Sequence, residues 1–176
     1  GPYLEINSKS SQEIIGIDLS LAVEASQNNV GHLANVTIIQ ADLFHLPFKS
    51  DVFDVVYSLG VLHHTPNTKD AFFSIKDVVK ENGLLSIWLY GSYWNRRDKN
   101  QEFIRKHFTS RLNTKQLHFF SQFMSNLYWL YKIPLLGNGL REIIPMGMDS
   151  QKQVRALNTF DMYSPTYIHR HKLNEV

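Results

Sequence analysis

Two aspartates close short β-branched runs: Asp18 ends Glu13–Asp18 (EIIGID) and Asp42 ends Asn35–Asp42 (NVTIIQAD). A carboxylate at a strand end accepts hydrogen bonds from both the 2′- and 3′-hydroxyls of a ribose. A second acid one strand later is placed to accept from the exocyclic amine of an adenine. Either Asp alone is as well explained as a turn or N-cap residue; the pair points to an adenosine-containing ligand. A third run, Phe53–Leu59 (FDVVYSL), leads to adjacent histidines, His63 and His64. A neutral imidazole near pH 7 can take a proton from a hydroxyl. The alternative is a loop that lines the ligand and moves no proton. A metal site from His63/His64 with His45, or from His169/His171, is disfavoured, the latter pair having no strand scaffold and no third ligand at recognisable spacing, so no metal is expected.

The elements that must position these residues alternate. Four nearly continuous apolar runs, the fourth being Gly83–Tyr90 (GLLSIWLY), read as strands buried on both faces of a parallel sheet. Ser20 can cap a helix over Leu21–Asn29. Asn67 or Thr68 can start another over Lys69–Lys80, with Asn82-Gly83 as its stop. This alternation predicts an α/β fold with a doubly wound, mainly parallel Rossmann-like sheet. Beyond Gly91 the pattern becomes helical. Gln101–Phe108 and the densely apolar Thr114–Lys132 read as helices, Pro134, Gly137 and Gly139 as breaks, and 145–170 as loop with short elements.

Composition separates the same two regions. The 176 residues carry a net charge of +2, yet residues 1–90 hold five Lys and ten acids, for −5, whereas 91–176 reach +7. A division into a core over 1–90 and a basic, aromatic helical region over 91–176 follows. The basic half suits an anionic ligand, a membrane surface or a solvated face, and no nucleic-acid module is present. With no Cys there is no disulfide framework and no Cys nucleophile. No run reaches the roughly 18 apolar residues of a spanning helix, so a cytoplasmic chain is expected.

The segments IIGIDLS, VTIIQADLFHLPFKSDVFDVVYSLGVLHHTPNTKDAF and VVKENGLLSIWLY stand in order and resemble a class I S-adenosylmethionine-dependent methyltransferase. The nearest resemblance is to the small-molecule branch that includes ubiquinone- and menaquinone-pathway enzymes. Thr159–His171 (TFDMYSPTYIHRH) resembles the tail of a methyltransferase subgroup. The resemblance implies S-adenosyl-L-methionine as cofactor, S-adenosyl-L-homocysteine as product, and a small-molecule acceptor, anionic or lipid-like, methylated on O, N or C. It assigns Asp18 to the ribose, Leu19 beside the adenine, Asp42 to the adenine amine and Leu43 to its flank. Ser58, Leu59 and Gly60 would meet the methionine part, with His63 and His64 on the lip facing the methyl. Tyr90, Tyr93, Trp94, Arg96 and Arg97 would belong to the acceptor site, where guanidinium pairs hold phosphate or carboxylate. The Leu117–Tyr131 stretch would be core, an acceptor channel or a peripheral membrane contact.

The family's Gly-rich first motif has no counterpart. Tyr3–Ile6 (YLEI) resembles the strand leading into it, but no Gly lies between Gly1 and Gly16, and the six residues Asn7–Gln12 are too few for a parallel crossover. Either a segment is missing there or the first strand cannot run parallel to the second. The end at Leu173–Val176 reads as the start of a helix, with the family's last strands expected beyond it. Two further readings stay open: a non-catalytic scaffold of the same fold, and a dehydrogenase using Asp18 for an NAD ribose.

Overall fold

The computed structural model describes residues 2–92 and 95–176. Residues 1–89 and 90–176 form two compact units.

The first unit is α/β. Helix α1 (Pro2–Ser8) precedes β1 (Ile14–Asp18), α2 (Ala22–Val30), β2 (Val36–Gln40), β3 (Phe53–Leu59), α3 (Thr68–Asp77) and β4 (Val79–Trp88). β1 pairs with β2 in parallel, Asp18 opposite Gln40. β3 pairs with β4 in parallel, Leu59 opposite Trp88. The fold is thus the α/β, mainly parallel arrangement expected, its described strands laddered as two small parallel pairs.

Residues 3–6 lie in a helix and not in the strand expected of them. Pro at the first helical position and Glu5 in the first turn both favour that outcome. As a helix the segment satisfies its own backbone without a neighbouring strand. It touches both pairs: the Tyr3 ring packs edge-on to Tyr57 of β3, and a Cβ at Gly16 of β1 would come within 2.8 Å of Leu4 Cδ1.

Nor are the strands buried on both faces. Leu62, Ala71 and Ile75 form a core with Val56, Leu85 and Ile87, so α3 covers one face of the β3–β4 pair. The alternate residues Val55, Leu59, Leu84 and Trp88 are exposed, as the period of two requires for the opposite face. Asn67 caps α3 by accepting from the backbone of Lys69 and Asp70. The helix ends at Asp77, short of Lys80. Asn82-Gly83 lies inside β4, where the register jumps between Phe53 and Val55.

The second unit is helical: α4 (Arg96–His107), α5 (Thr114–Asn126), α6 (Leu136–Ile143) and α7 (Lys152–Tyr163). Asn113 and Gln116 form a capping box that starts α5. The helix expected to reach Lys132 stops at Asn126, and Leu127–Lys132 tightens into a 3-10 turn. There Tyr131 is buried and donates to the Ile144 carbonyl at 2.8 Å. α6 and α7 form where breaks and loop were expected. The buried stripe of α7 is Arg155, Ala156, Thr159 and Tyr163, a helical spacing in which Arg155 and Thr159 fall outside any hydrophobic pattern. Arg155 stacks 4.0 Å from the Tyr128 ring and donates to the carbonyls of Ser125, Asp149 and Ser150. Among the described residues no helix is long and apolar enough to cross a membrane.

Candidate functional site

The parallel β1–β2 register puts the exits of both strands at one end, so Asp18 and Asp42 leave the same edge of the pair. Asp18 is exposed, and its Oδ1 accepts from Ser20 N at 2.8 Å and Ser20 Oγ at 2.7 Å. Ser20 Oγ accepts in turn from Ala22 N, the first residue of α2, at 3.2 Å. One carboxylate oxygen therefore organises the strand-to-helix turn, and Oδ2 remains as an acceptor. Leu19 is exposed beside it, its carbonyl accepting from Gln40 Nε2 at 3.0 Å.

Asp42 is more committed. Oδ1 accepts from Phe44 N at 3.0 Å, and Oδ2 lies 2.9 Å from His45 Nδ1. The Phe44 N–H, and then His45, hold its carboxyl below the usual range, so it is ionised at neutral pH. Each oxygen keeps a second lone pair for an amine donor. Leu43 and Phe44 pack against the Leu62, Ala71 and Ile75 cluster. This brings the loop after β2 to the turn after β3, and makes Leu43 a core residue.

Ser58 is buried and Leu59 exposed, as their alternation in β3 dictates. Gly60 then takes φ +79°, with its N–H donating to Trp88 O at 3.2 Å. A Cβ there would meet Trp88 at 3.3 Å, so the chain passes this point as bare backbone. Leu62–His64 forms a 3-10 turn. His63 is wholly buried, its ring 4.2 Å from that of His64 and 5.9 Å, edge-on, from that of Trp88. His64 is half-buried. The adjacent histidines are thus inequivalent, with His64 the more accessible. Trp88 was missed by sequence reasoning. Its signal is the last position of β4, one full period from Ser86 and opposite Leu59.

The remaining candidates belong to the second unit. Tyr90 accepts from His171 N at 2.9 Å, and Arg170 lies 5.6 Å over its ring. Arg96 and Arg97 open α4 behind the Asn95 cap. Tyr93 and Trp94 lie outside the described residues. No group of three or more His, Asp or Glu able to hold a metal occurs among the described residues.

The geometry thus shows two acids leaving one end of a parallel strand pair and a bare-backbone turn at Gly60. Residues 1–87 match the family described as "Methyltransferase domain". Sterol 24-C-methyltransferase erg6 of Schizosaccharomyces pombe is 24% identical over 111 residues, covering 61% of this chain and 28% of the relative. Malonyl-[acyl-carrier protein] O-methyltransferase of Legionella pneumophila is 29% identical over 80 residues, covering 45% of this chain and 28% of the relative. The chain spans less than a third of the length of these relatives. Among solved structures, the YcgJ protein of Bacillus subtilis matches with TM-score 0.47 and 26% identity, over 56% of this chain and 45% of that one.

Proposed function

We propose that this chain, a member of the methyltransferase-domain family through residues 1–87, contributes to methyl transfer from S-adenosyl-L-methionine to a small-molecule acceptor. The observation that carries the reading is the coincidence of that family match with two acids at the exits of one parallel pair. The residues fit an adenosyl group in two respects. Among the described residues none donates to Asp18 Oδ2, and Gly60 offers a backbone that no Cβ obstructs.

In this reading Asp18 binds the ribose hydroxyls and Leu19 lies beside the adenine. Asp42 accepts from the adenine amine, and Leu43 shapes the loop that carries Asp42. Ser58, Leu59 and Gly60 bound the methionine end. The cofactor supplies an electrophilic methyl on a sulfonium and leaves as S-adenosyl-L-homocysteine. The chain contributes proximity and orientation, which such in-line displacements chiefly need. His64 takes the acceptor's proton where the acceptor is a hydroxyl, and His63, packed between His64 and Trp88, holds the turn that carries it. Tyr90, Tyr93, Trp94, Arg96 and Arg97 serve the acceptor. An anionic or lipid-like acceptor is in keeping with the names of the relatives, one a sterol and the other a malonyl-[acyl-carrier protein] methyltransferase. A cytoplasmic setting belongs to the same proposal.

The test is isothermal titration of the folded chain with S-adenosyl-L-homocysteine. Micromolar binding is the expected result. A chain folded by circular dichroism that binds none would overturn cofactor use and favour the non-catalytic scaffold.

A further inference from the structure

The second unit contains an apolar groove of about 800 Å³, within the roughly 300–1,000 Å³ of small-molecule sites. Phe103 and Ile104 of α4, Phe108 just beyond it, Phe120 of α5, and Ile143 and Ile144 at the end of α6 line its walls. Three of these are unusually exposed for their size: Phe103 at 56%, Phe108 at 61% and Ile143 at 61%. Single exposed apolar residues are ordinary, but three converging on one groove mark a binding surface.

Two basic residues, His107 and Arg111, share the lining, and no acid does. The last turn of α4 carries Arg105, Lys106 and His107, opposite in sign to its carbonyl end. Arg105 is committed to Glu102 at 2.8 Å and to the carbonyls of Pro165 and Thr166 at 2.8 and 2.7 Å. Lys106 reaches the same Glu102 at 3.0 Å. Burial pushes Glu102 up, but hydrogen bonds from Arg105 and Lys106 outweigh it and hold the carboxyl below its usual range. Its one negative charge is therefore spent on those two cations. The His107 ring lies 4.5 Å from that of Phe103. Arg111 has no acidic partner among the described residues. Glu142 of α6 meets Asn100 only through its backbone carbonyl, at 2.7 Å. The groove thus joins an apolar body to an unspent guanidinium.

We propose that this groove binds an aliphatic carboxylate, its chain along Phe103, Phe108, Phe120 and Ile143 and its head paired with Arg111, whose fork matches a carboxylate. The site lies wholly within residues 90–176. It rests on the methyl-transfer reading only for the fate of the ligand, and its test omits the methyl donor, so the two readings fail separately.

The experiment is calorimetric titration of the chain with octanoate, dodecanoate and hexadecanoate below their micellar concentrations, with dodecanol as the neutral control. Each added methylene tightens binding about fourfold until the groove is filled. Dodecanoate binds about tenfold or more tightly than dodecanol. Arg111→Gln removes that preference and leaves dodecanol unchanged. Phe108→Ser, at an exposed side chain, weakens both ligands about tenfold or more while the circular dichroism spectrum is kept. A flat response to chain length, equal binding of acid and alcohol, or variants that bind like the parent would overturn the proposal. So would association seen only with phosphatidylglycerol vesicles, which would make the groove a membrane contact.

Discussion

Replacing Asp18 by Ala separates two roles that the structure gives one carboxylate. Oδ1 holds the turn into α2 through Ser20 N and Oγ, and Oδ2 is the acceptor left for a ribose. Losing the turn amounts to losing a helix cap, about 1 kcal/mol, or roughly 4–8 °C in melting temperature for a unit of this size. Losing hydrogen bonds from two ribose hydroxyls to a charged acceptor costs about 1.5–3 kcal/mol each. The sum of about 3–6 kcal/mol is a loss of about two to four orders of magnitude in affinity for S-adenosyl-L-homocysteine. Two companions keep the effects apart. Asp18→Asn retains a neutral acceptor for Ser20, so it recovers most of the melting temperature while affinity stays low. Ser20→Ala does the reverse, losing stability and keeping affinity. Calorimetry and thermal melts on the same samples read both quantities. Unchanged binding in Asp18→Ala would refute the ribose role, as would affinity losses that track stability across all three variants.

Gly60→Ala should destabilise the first unit by about 1–2 kcal/mol in urea titration, because a side chain at φ +79° meets its own backbone and the new Cβ meets Trp88. Asn67→Ala removes the acceptor for two backbone donors of α3 and should cost about 1 kcal/mol in the same assay. His64→Ala should lower turnover without weakening S-adenosyl-L-homocysteine binding, and a pH–rate profile identical to the parent's would remove it as a base. In the second unit, burial pushes the Tyr131 phenol up to about 12, and burial, with the neighbouring Tyr131, carries Tyr163 higher still. Both phenols hold protons in the folded state that the unfolded chain releases near pH 10. Their contribution is therefore complete below about pH 10 and is lost as pH rises through the folded values. Stability should fall by about 1.4 kcal/mol per pH unit for each tyrosine, and Tyr131→Phe should halve that slope in alkaline urea titrations.

What the chain shows of itself follows which signals are local. β3 lies over the run read for it, and β1 and β2 fall within theirs, because each is a short β-branched run whose neighbours end it. The cap at Asn67 is equally local, its side chain meeting the backbone two and three residues on. Strand pairing is not local, and nothing in an apolar run says whether four strands make one sheet or two pairs. α7 is not legible because its buried face includes Arg155, which donates to the Asp149 carbonyl, and Thr159, whose hydroxyl accepts from Gly147 N. At the candidate site, Asp18 and Asp42 were legible as strand-end acids. Their hydrogen-bond commitments to Ser20, Phe44 and His45 were not. Likewise the pair His63-His64 is plain in the sequence, whereas the burial of one ring and the access of the other come from the turn after β3.

Among the described residues β1 and β3 each ladder with a strand on one side only. Such an edge is a row of N–H and C=O groups able to accept a strand from another molecule. Packed against both strands is α1, seven residues long, with Leu4 near Gly16 of β1 and Tyr3 edge-on to Tyr57 of β3. A helix of two turns has little stability of its own, so it is the first element to peel away on warming. Colloidal behaviour then hinges on this short helix: once it leaves, the surfaces it covered join the already exposed Ile17, Val55 and Leu59, and a dispersed solution becomes one that seeds strand-to-strand association as concentration rises.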